Sequence, residues 1–159
     1  MTEPEETIEA KLVTALSNAV TEIDVISALA PCVPGEMKLS ANSSISVFVD
    51  LASQDLDWIG PGVPCTYSAR VVLKVAFSDD KTGALFRDSA RAVRGALAAL
   101  TGDGCDAVSG DGFACDAFIL NSTNTSLDAG DGSGAMVKTY TATVKGRFTP
   151  QTETTEEED

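Results

Sequence analysis

From Tyr67 to Phe77 apolar residues recur at every second position. Tyr67, Ala69, Val71, Leu73, Val75 and Phe77 share one face, with Arg70, Val72, Lys74 and Ala76 on the other. A period of two predicts a half-buried strand. The period then changes: Leu85, Phe86, Val93, Ala96, Leu97 and Leu100 recur at helical spacing and predict an amphipathic helix over residues 81–100. Asp79, Asp80 and Thr82 offer N-cap oxygens before it, and Gly102 stops it. Two more strands are predicted near 113–120 and 136–148. In the last, Met136, Tyr140, Ala142, Val144 and Phe148 line one face, and Thr139, Thr141, Thr143, Lys145 and Arg147 line the other.

The first half is similar in kind. Ile8, Leu12, Leu16, Ala19 and Ile23 form a helical stripe that ends between Thr21 and Asp24, with Thr2 and Glu5 at capping-box spacing and Pro4 in the first turn. Ile45, Val47, Val49 and Leu51 alternate and predict a strand. Pro31 to Gly35 reads as a turn, Asp55 to Pro64 as a loop, Asp103 to Gly112 as another, and Asn121 to Gly134 as a long polar hairpin loop. The sum is an α+β fold: about four antiparallel strands with two helices packed on one face, in a single domain over 1–149. Residues 150–159 are acidic and without apolar anchors, a composition that predicts a disordered tail.

Charge refines the picture. The chain has 159 residues and a formal net charge of −13. Glu3, Glu5, Glu6, Glu9, Glu153, Glu156, Glu157, Glu158 and Asp159 carry much of it; without those nine, 15 acids face 11 bases, or −4. The acidity therefore sits at the ends of the chain. No stretch is apolar enough to span a bilayer, and the acidic start is unlike a signal peptide, which predicts synthesis in the cytoplasm and no membrane partner.

Catalytic and metal chemistry find little to stand on. The sequence contains no histidine and no nucleotide-binding glycine motif, so no Ser/His or Cys/His pair can form. Cys32, Cys65, Cys105 and Cys115 include no C-x-x-C pair and read as reduced, buried thiols. The expectation is a non-enzyme without cofactor or metal.

The candidate surfaces are those of an interaction protein. Arg87, Arg91 and Arg94 align on one quadrant of the second helix, either as a basic stripe for a neighbouring subunit or nucleic acid, or as a solvated face beside Asp88. Arg70, Lys74, Lys145 and Arg147 share the predicted wet face of the sheet with the threonine row. Trp58 and Ile59 stand in a Pro/Gly loop, either as a partner anchor or as a cap on the core. Asp128 and Asp131 sit in the glycine-rich hairpin loop, whose spacing does not fit an EF-hand.

The order of elements carries a resemblance. An amphipathic helix precedes a strand. A second strand ends at Phe77-Ser78-Asp79-Asp80 and enters the helix from Ala84 to Val93. A polar hairpin returns through Lys138-Thr139-Tyr140-Thr141-Ala142-Thr143-Val144. Over residues 2–148 this resembles the tail-terminator, or tail-completion, proteins of tailed bacteriophages. The resemblance implies a structural virion protein of the tail or neck. It forms a homo-oligomeric ring, usually a hexamer, that caps the tail tube and docks to the head–tail connector, with DNA in passing contact. It implies no catalytic residues. Alternatives are another phage neck or connector protein, an acidic DNA mimic that blocks a basic enzyme, and an enzyme with an unrecognised carboxylate site.

Overall fold

A computed structural model describes residues 4–20, 30–31, 36–40, 43–55, 57–58, 60, 62–80, 82–110, 112–128 and 134–149. Helix α1 (Pro4–Val20) precedes two short strands, β1 (Ala30–Pro31) and β2 (Glu36–Ser40), and two long ones, β3 (Ser43–Gln54) and β4 (Val63–Ala76). Helix α2 (Ala84–Ala99) and a 3-10 segment, Gly102–Val108, lead to a hairpin of β5 (Phe113–Asp128) and β6 (Ala135–Phe148). Every pairing is antiparallel, in one sheet of order β1-β2-β3-β4-β6-β5. The α+β expectation of antiparallel strands carrying helices on one face is met by the four long strands with α1 and α2; β1 and β2 extend the sheet beyond β3.

The centre of the sheet is β4 against β6. Tyr67 pairs with Val144, Ala69 with Ala142 and Val71 with Tyr140, and all six are buried on one face. That face is closed by Ile8, Leu12 and Leu16 of α1 and by Leu85, Val93 and Leu97 of α2, in one core cluster with the sheet. Each such leucine or isoleucine contributes about 1.5–3 kcal/mol by leaving water. Two polar contacts fix α2 over the sheet. The Tyr140 hydroxyl donates to the Ala90 carbonyl at 3.1 Å. The Asp80 carboxylate accepts the Leu85 and Phe86 N–H groups at 3.1 and 2.9 Å, capping the helix from ahead of Gly83, whose φ of 84° makes the turn between them.

Packing also explains Gly146. It pairs with Cys65 on one side and Cys115 on the other, and the Phe113 ring lies directly over it. A Cβ there would come within 2.6 Å of Phe113 Cζ. The same ring meets Tyr67 edge-to-face, with centroids 5.7 Å apart.

Three sequence expectations are corrected. The polar stretch from Asn121 is not a loop: β5 continues to Asp128, with Ser122 opposite Thr141 and Leu127 opposite Met136. It is held as a strand by β6, which β4 backs along its whole length. Phe77 leaves the strand for a 3-10 turn, Phe77–Asp79, and is 45% exposed rather than part of the buried face. The region from Asp103 to Gly112 is partly ordered as Gly102–Val108, which buries Cys105 and Val108. The proposed caps at Thr2 and Asp79, and the tail over 150–159, lie outside the described residues or side chains.

Two tests follow from this core. Leu97 is 1% exposed, so Leu97→Ala should destabilise the protein by about 2–5 kcal/mol in urea unfolding. Burial raises the Tyr140 phenol from its ordinary 10.0 to about 12, opposed by the Arg94 guanidinium. Burial likewise lifts the Cys115 thiol from 9.0 to about 12, with Cys105 adding to the effect. Both groups keep their protons in the fold to higher pH than in the unfolded chain. Their contribution is therefore whole at neutral pH and is lost as pH rises from about 9 for Cys115 and about 10 for Tyr140 towards about 12. Melting at a series of alkaline pH values should show this fall, and Tyr140→Phe should flatten part of it while costing about 0.5–1.5 kcal/mol at neutral pH.

Candidate functional site

Alternation gives the sheet a second face that no described helix covers. Its rows run across the strands: Ser44–Lys74–Val137–Ser126, Ser46–Val72–Thr139–Asn124, Phe48–Arg70–Thr141–Ser122 and Asp50–Ser68–Thr143–Ile119. Lys145 and Arg147 continue the file opposite Thr66 and Pro64. Arg70, Lys74, Lys145 and Arg147 are all exposed there, as the strand period requires. By register, Lys74 and Arg147 lie at levels ten residues apart on β6, about 33 Å along the sheet.

Local contacts set how each cation stands. The Arg70 guanidinium lies 5.0 Å above the Phe48 ring, and Phe48 is 47% exposed. Arg147 Nε is 3.5 Å from the Asp116 carboxylate, an exposed pair. Asp116 is the extra residue where the register shifts between Cys115 and Ala117, and the bulge turns its carboxylate towards Arg147. The Asn121 amide donates to the Thr143 hydroxyl at 2.7 Å, continuing the polar face onto β5. Asp50 and Asp116 are the exposed acids among these rows and their bulge.

At the end of the sheet where β6 finishes, the face deepens into an open recess of about 550 Å³ lined by residues that include Asp55, Trp58, Thr66, Asp116, Lys145 and Arg147. A neighbouring recess of about 500 Å³, lined in part by Gly112, Phe113 and Thr149, shares Arg147 with it. The β3–β4 loop forms one wall. Asp55 N–H donates to Pro64 O at 3.1 Å, Trp58 N–H to Asp55 O at 3.3 Å, and Asp57 N–H to the Asp55 carboxylate at 3.2 Å. These bonds present the Trp58 side chain, 44% exposed, beside Lys145.

The structure thus brings Trp58, Lys145 and Arg147 to one recess and sets Arg70 and Lys74 along the same face. Arg87, Arg91 and Arg94 are exposed on α2, in the helical layer on the other side of the sheet, where Arg91 pairs with Asp88 at 3.4 Å. Asp128 ends β5 at the far end of the hairpin, and Ile59 and Asp131 lie outside the described residues. Asp116 escaped the sequence reading because nothing in Cys115-Asp116-Ala117 marks a bulge. The meeting of Trp58 with Lys145 depends on the β4–β6 register, which sequence spacing does not carry.

Chemically, the face offers exposed cations, hydroxyls and an indole. No group of three or more His, Cys, Asp or Glu residues stands where it would hold a metal, among the described residues. Cys65 lies under the recess with its thiol against the Gly146 carbonyl, and burial pushes its pKa up, which disfavours the thiolate. No described helix is long and apolar enough to cross a membrane. No protein-family model matches the chain, and no curated protein matches its sequence.

Trp58 is the sole tryptophan of the chain, which makes the recess directly observable. Its fluorescence should be that of a solvent-exposed indole and be quenched readily by acrylamide. Because more than half of the side chain is covered, Trp58→Ala should cost about 1–3 kcal/mol in unfolding stability. A shielded, quencher-resistant emission would contradict the open loop.

Proposed function

We propose that this chain is a structural assembly subunit of the phage tail-terminator kind, acting in the virion tail or neck rather than as an enzyme. It would form a cyclic homo-oligomer, a hexamer by the resemblance, that stops the tail tube and offers a surface to the head–tail connector. The supporting observation is that, among the described residues, one subunit presents unpaired strand edges on opposite sides of the sheet. On one side β5 is the outermost strand, and Asn121 to Leu127 are exposed. On the other, β2 pairs with β3 only from Ser43 to Ser46, which leaves β3 beyond that point without a described neighbour on that side. Leu51, Ala52, Ser53 and Gln54 there are exposed.

Free edges carry unpaired N–H and C=O groups that join another strand readily. Two different edges on one subunit make a head-to-tail contact, the kind that closes into a ring. The open face with Arg70, Lys74, Lys145, Arg147 and Trp58 then serves as the docking surface for tube or connector. Its cations weigh against the DNA-mimic alternative, which needs a carboxylate surface.

Thr123→Lys with Thr125→Lys tests this reading. Both positions are exposed on β5, so folding should change by less than about 0.5 kcal/mol each, while edge pairing should be blocked. Light scattering of the wild-type chain with tail tubes should show a ring mass that the double variant loses. Electron microscopy should show overlong, headless tails. Tails of normal length joined to heads would remove the edge from the assembly contact.

A further inference from the structure

The α2 arginines and the carboxylates of the first turns of α1 have no part in the assembly contacts described so far. We infer that these two groups fix the polarity of assembly: Glu5 and Glu9 of one copy lie against Arg87, Arg94 and Lys138 of the next. The inference rests on the head-to-tail reading above and names, for each flank of the helical layer, the partner it fits, a second copy of this chain.

The two flanks are chemically unlike. On the β3 side stands α1, which packs on β3. Its Thr7 and Lys11 turn inward to Gly110, where a Cβ would meet Lys11 Cε at 3.2 Å and Thr7 Cγ2 at 3.3 Å. Glu9 is two residues from each of them, about 200° round the helix. It therefore faces outward, towards the open edge of β3, and Glu5 shares that side one turn earlier. Burial, with Glu6 adding to it, holds the Glu9 carboxyl above its ordinary value. Neither Glu5 nor Glu9 has an ion pair among the described residues.

On the β5 side stands the outer flank of α2. Ala92 and Ala96 are partly buried against the core, and Arg94, two residues from each, points the other way. The Ala90 carbonyl takes the Tyr140 hydroxyl, which places this flank over β6. Lys138 Nζ is 6.0 Å from the Tyr140 ring centroid on the same side of the sheet. Next to it Thr123 and Thr125 of β5 are exposed, with no described helix above them. Arg91 pairs with Asp88, but Arg87 and Arg94 have no ion pair among the described residues.

A sheet continued from β5 of one copy into β3 of the next keeps both helical layers on one side, so α1 of one arrives beside α2 of the other. The levels along the strands agree. Ser53 is level with Lys145 through Thr66, and Asn124 is level with Thr139, six residues back on β6. Joining the open edges therefore staggers the copies by about 20 Å. Thr7 abuts Gly110, which pairs with Phe113, level with Phe148. Ala90 is bonded at Tyr140, eight residues back, or about 26 Å. The stagger that joins the edges thus brings the α1 carboxylates within about 6 Å of the level of the α2 arginines. Two copies meeting β5 to β5 about a two-fold normal to the sheet would set cations against cations, and β3 to β3 would set carboxylates against carboxylates. Charge then selects the head-to-tail joint.

Two double variants test this on the full chain at millimolar concentration, by light scattering and sedimentation. Glu5→Lys with Glu9→Lys makes both flanks basic, and Arg87→Glu with Arg94→Glu makes both acidic. Each alone should self-associate at least about tenfold more weakly than the wild-type chain. Their equimolar mixture should recover association, because each altered flank then meets its complement; misfolding would not be repaired by mixing. Carbodiimide treatment of mixed light and isotope-labelled wild-type chains should join Glu5 or Glu9 to Lys138 between copies. Either variant alone assembling as the wild type does, a mixture that stays dissociated, or no such adduct between copies would overturn the inference. Tube capping separates it from the terminator reading. A wild-type chain that assembles through these flanks but leaves tubes uncapped supports this inference and removes only that reading, whereas capping retained by both variants removes only this inference.

Discussion

One-sided burial of the sheet is the constraint from which the other features follow. β4 lies between β3 and β6, and its odd-numbered residues from Cys65 to Val75 are buried while Ser68, Arg70 and Lys74 are exposed. A slip of one residue would put Arg70 and Lys74 into the core and Val71 and Leu73 into water, a cost of several kcal/mol for each buried charge. The register of β4 is thereby set, and β3 and β6 take theirs from it. Both helices must then lie on the same side, because only that side is dry. The cationic file, the recess by Trp58 and the two free edges are what remains on the surface once this requirement is satisfied.

The core and its helices were legible in the sequence because each element shows its own period. Leu85, Val93 and Leu97 could not mark a strand, nor Val71 and Leu73 a helix, and all of them meet Val144 in one cluster. The cationic face was legible for the same reason: a residue of known parity on a half-buried strand has a known face. Distal β5 was not. Asn121-Ser122-Thr123-Asn124-Thr125-Ser126 contains no apolar alternation, since neither face of it is buried. Its strand conformation comes from cross-strand bonds to β6, a tertiary cause that local composition does not record. Phe77 failed for a different reason. The alternation continues through it, but the chain turns one residue earlier, and its N–H donates to the Gly134 carbonyl at the start of the hairpin's second strand.

The candidate site divides along the same line. Arg70, Lys74, Lys145 and Arg147 needed only strand parity. The recess needed two facts that are invisible locally: the bulge that aims Asp116 at Arg147, and the turn of Asp55 that holds Trp58 beside Lys145. Polar residues that look alike in sequence therefore differ in standing. Asp55 and Asp80 organise backbone, Asp88 and Asp116 answer an arginine, and Ser89 is fully buried in α2 with no partner for its hydroxyl.

Asn121 to Leu127 carry no charged side chain and no proline, the usual guards of an outermost strand. Runs of Ser, Thr and Asn on such a strand are able to stack copy upon copy into a fibre with the spacing of cross-β, about 4.7–4.8 Å. The protection available is collective rather than local: a net charge of −13 adds a long-range repulsion between copies that a specific contact must overcome. The acidity at the ends of the chain thus adds to the guard on that strand through net charge. Colloidal stability of this protein is then a property of ionic strength, and it weakens where salt or a polycation neutralises those ends.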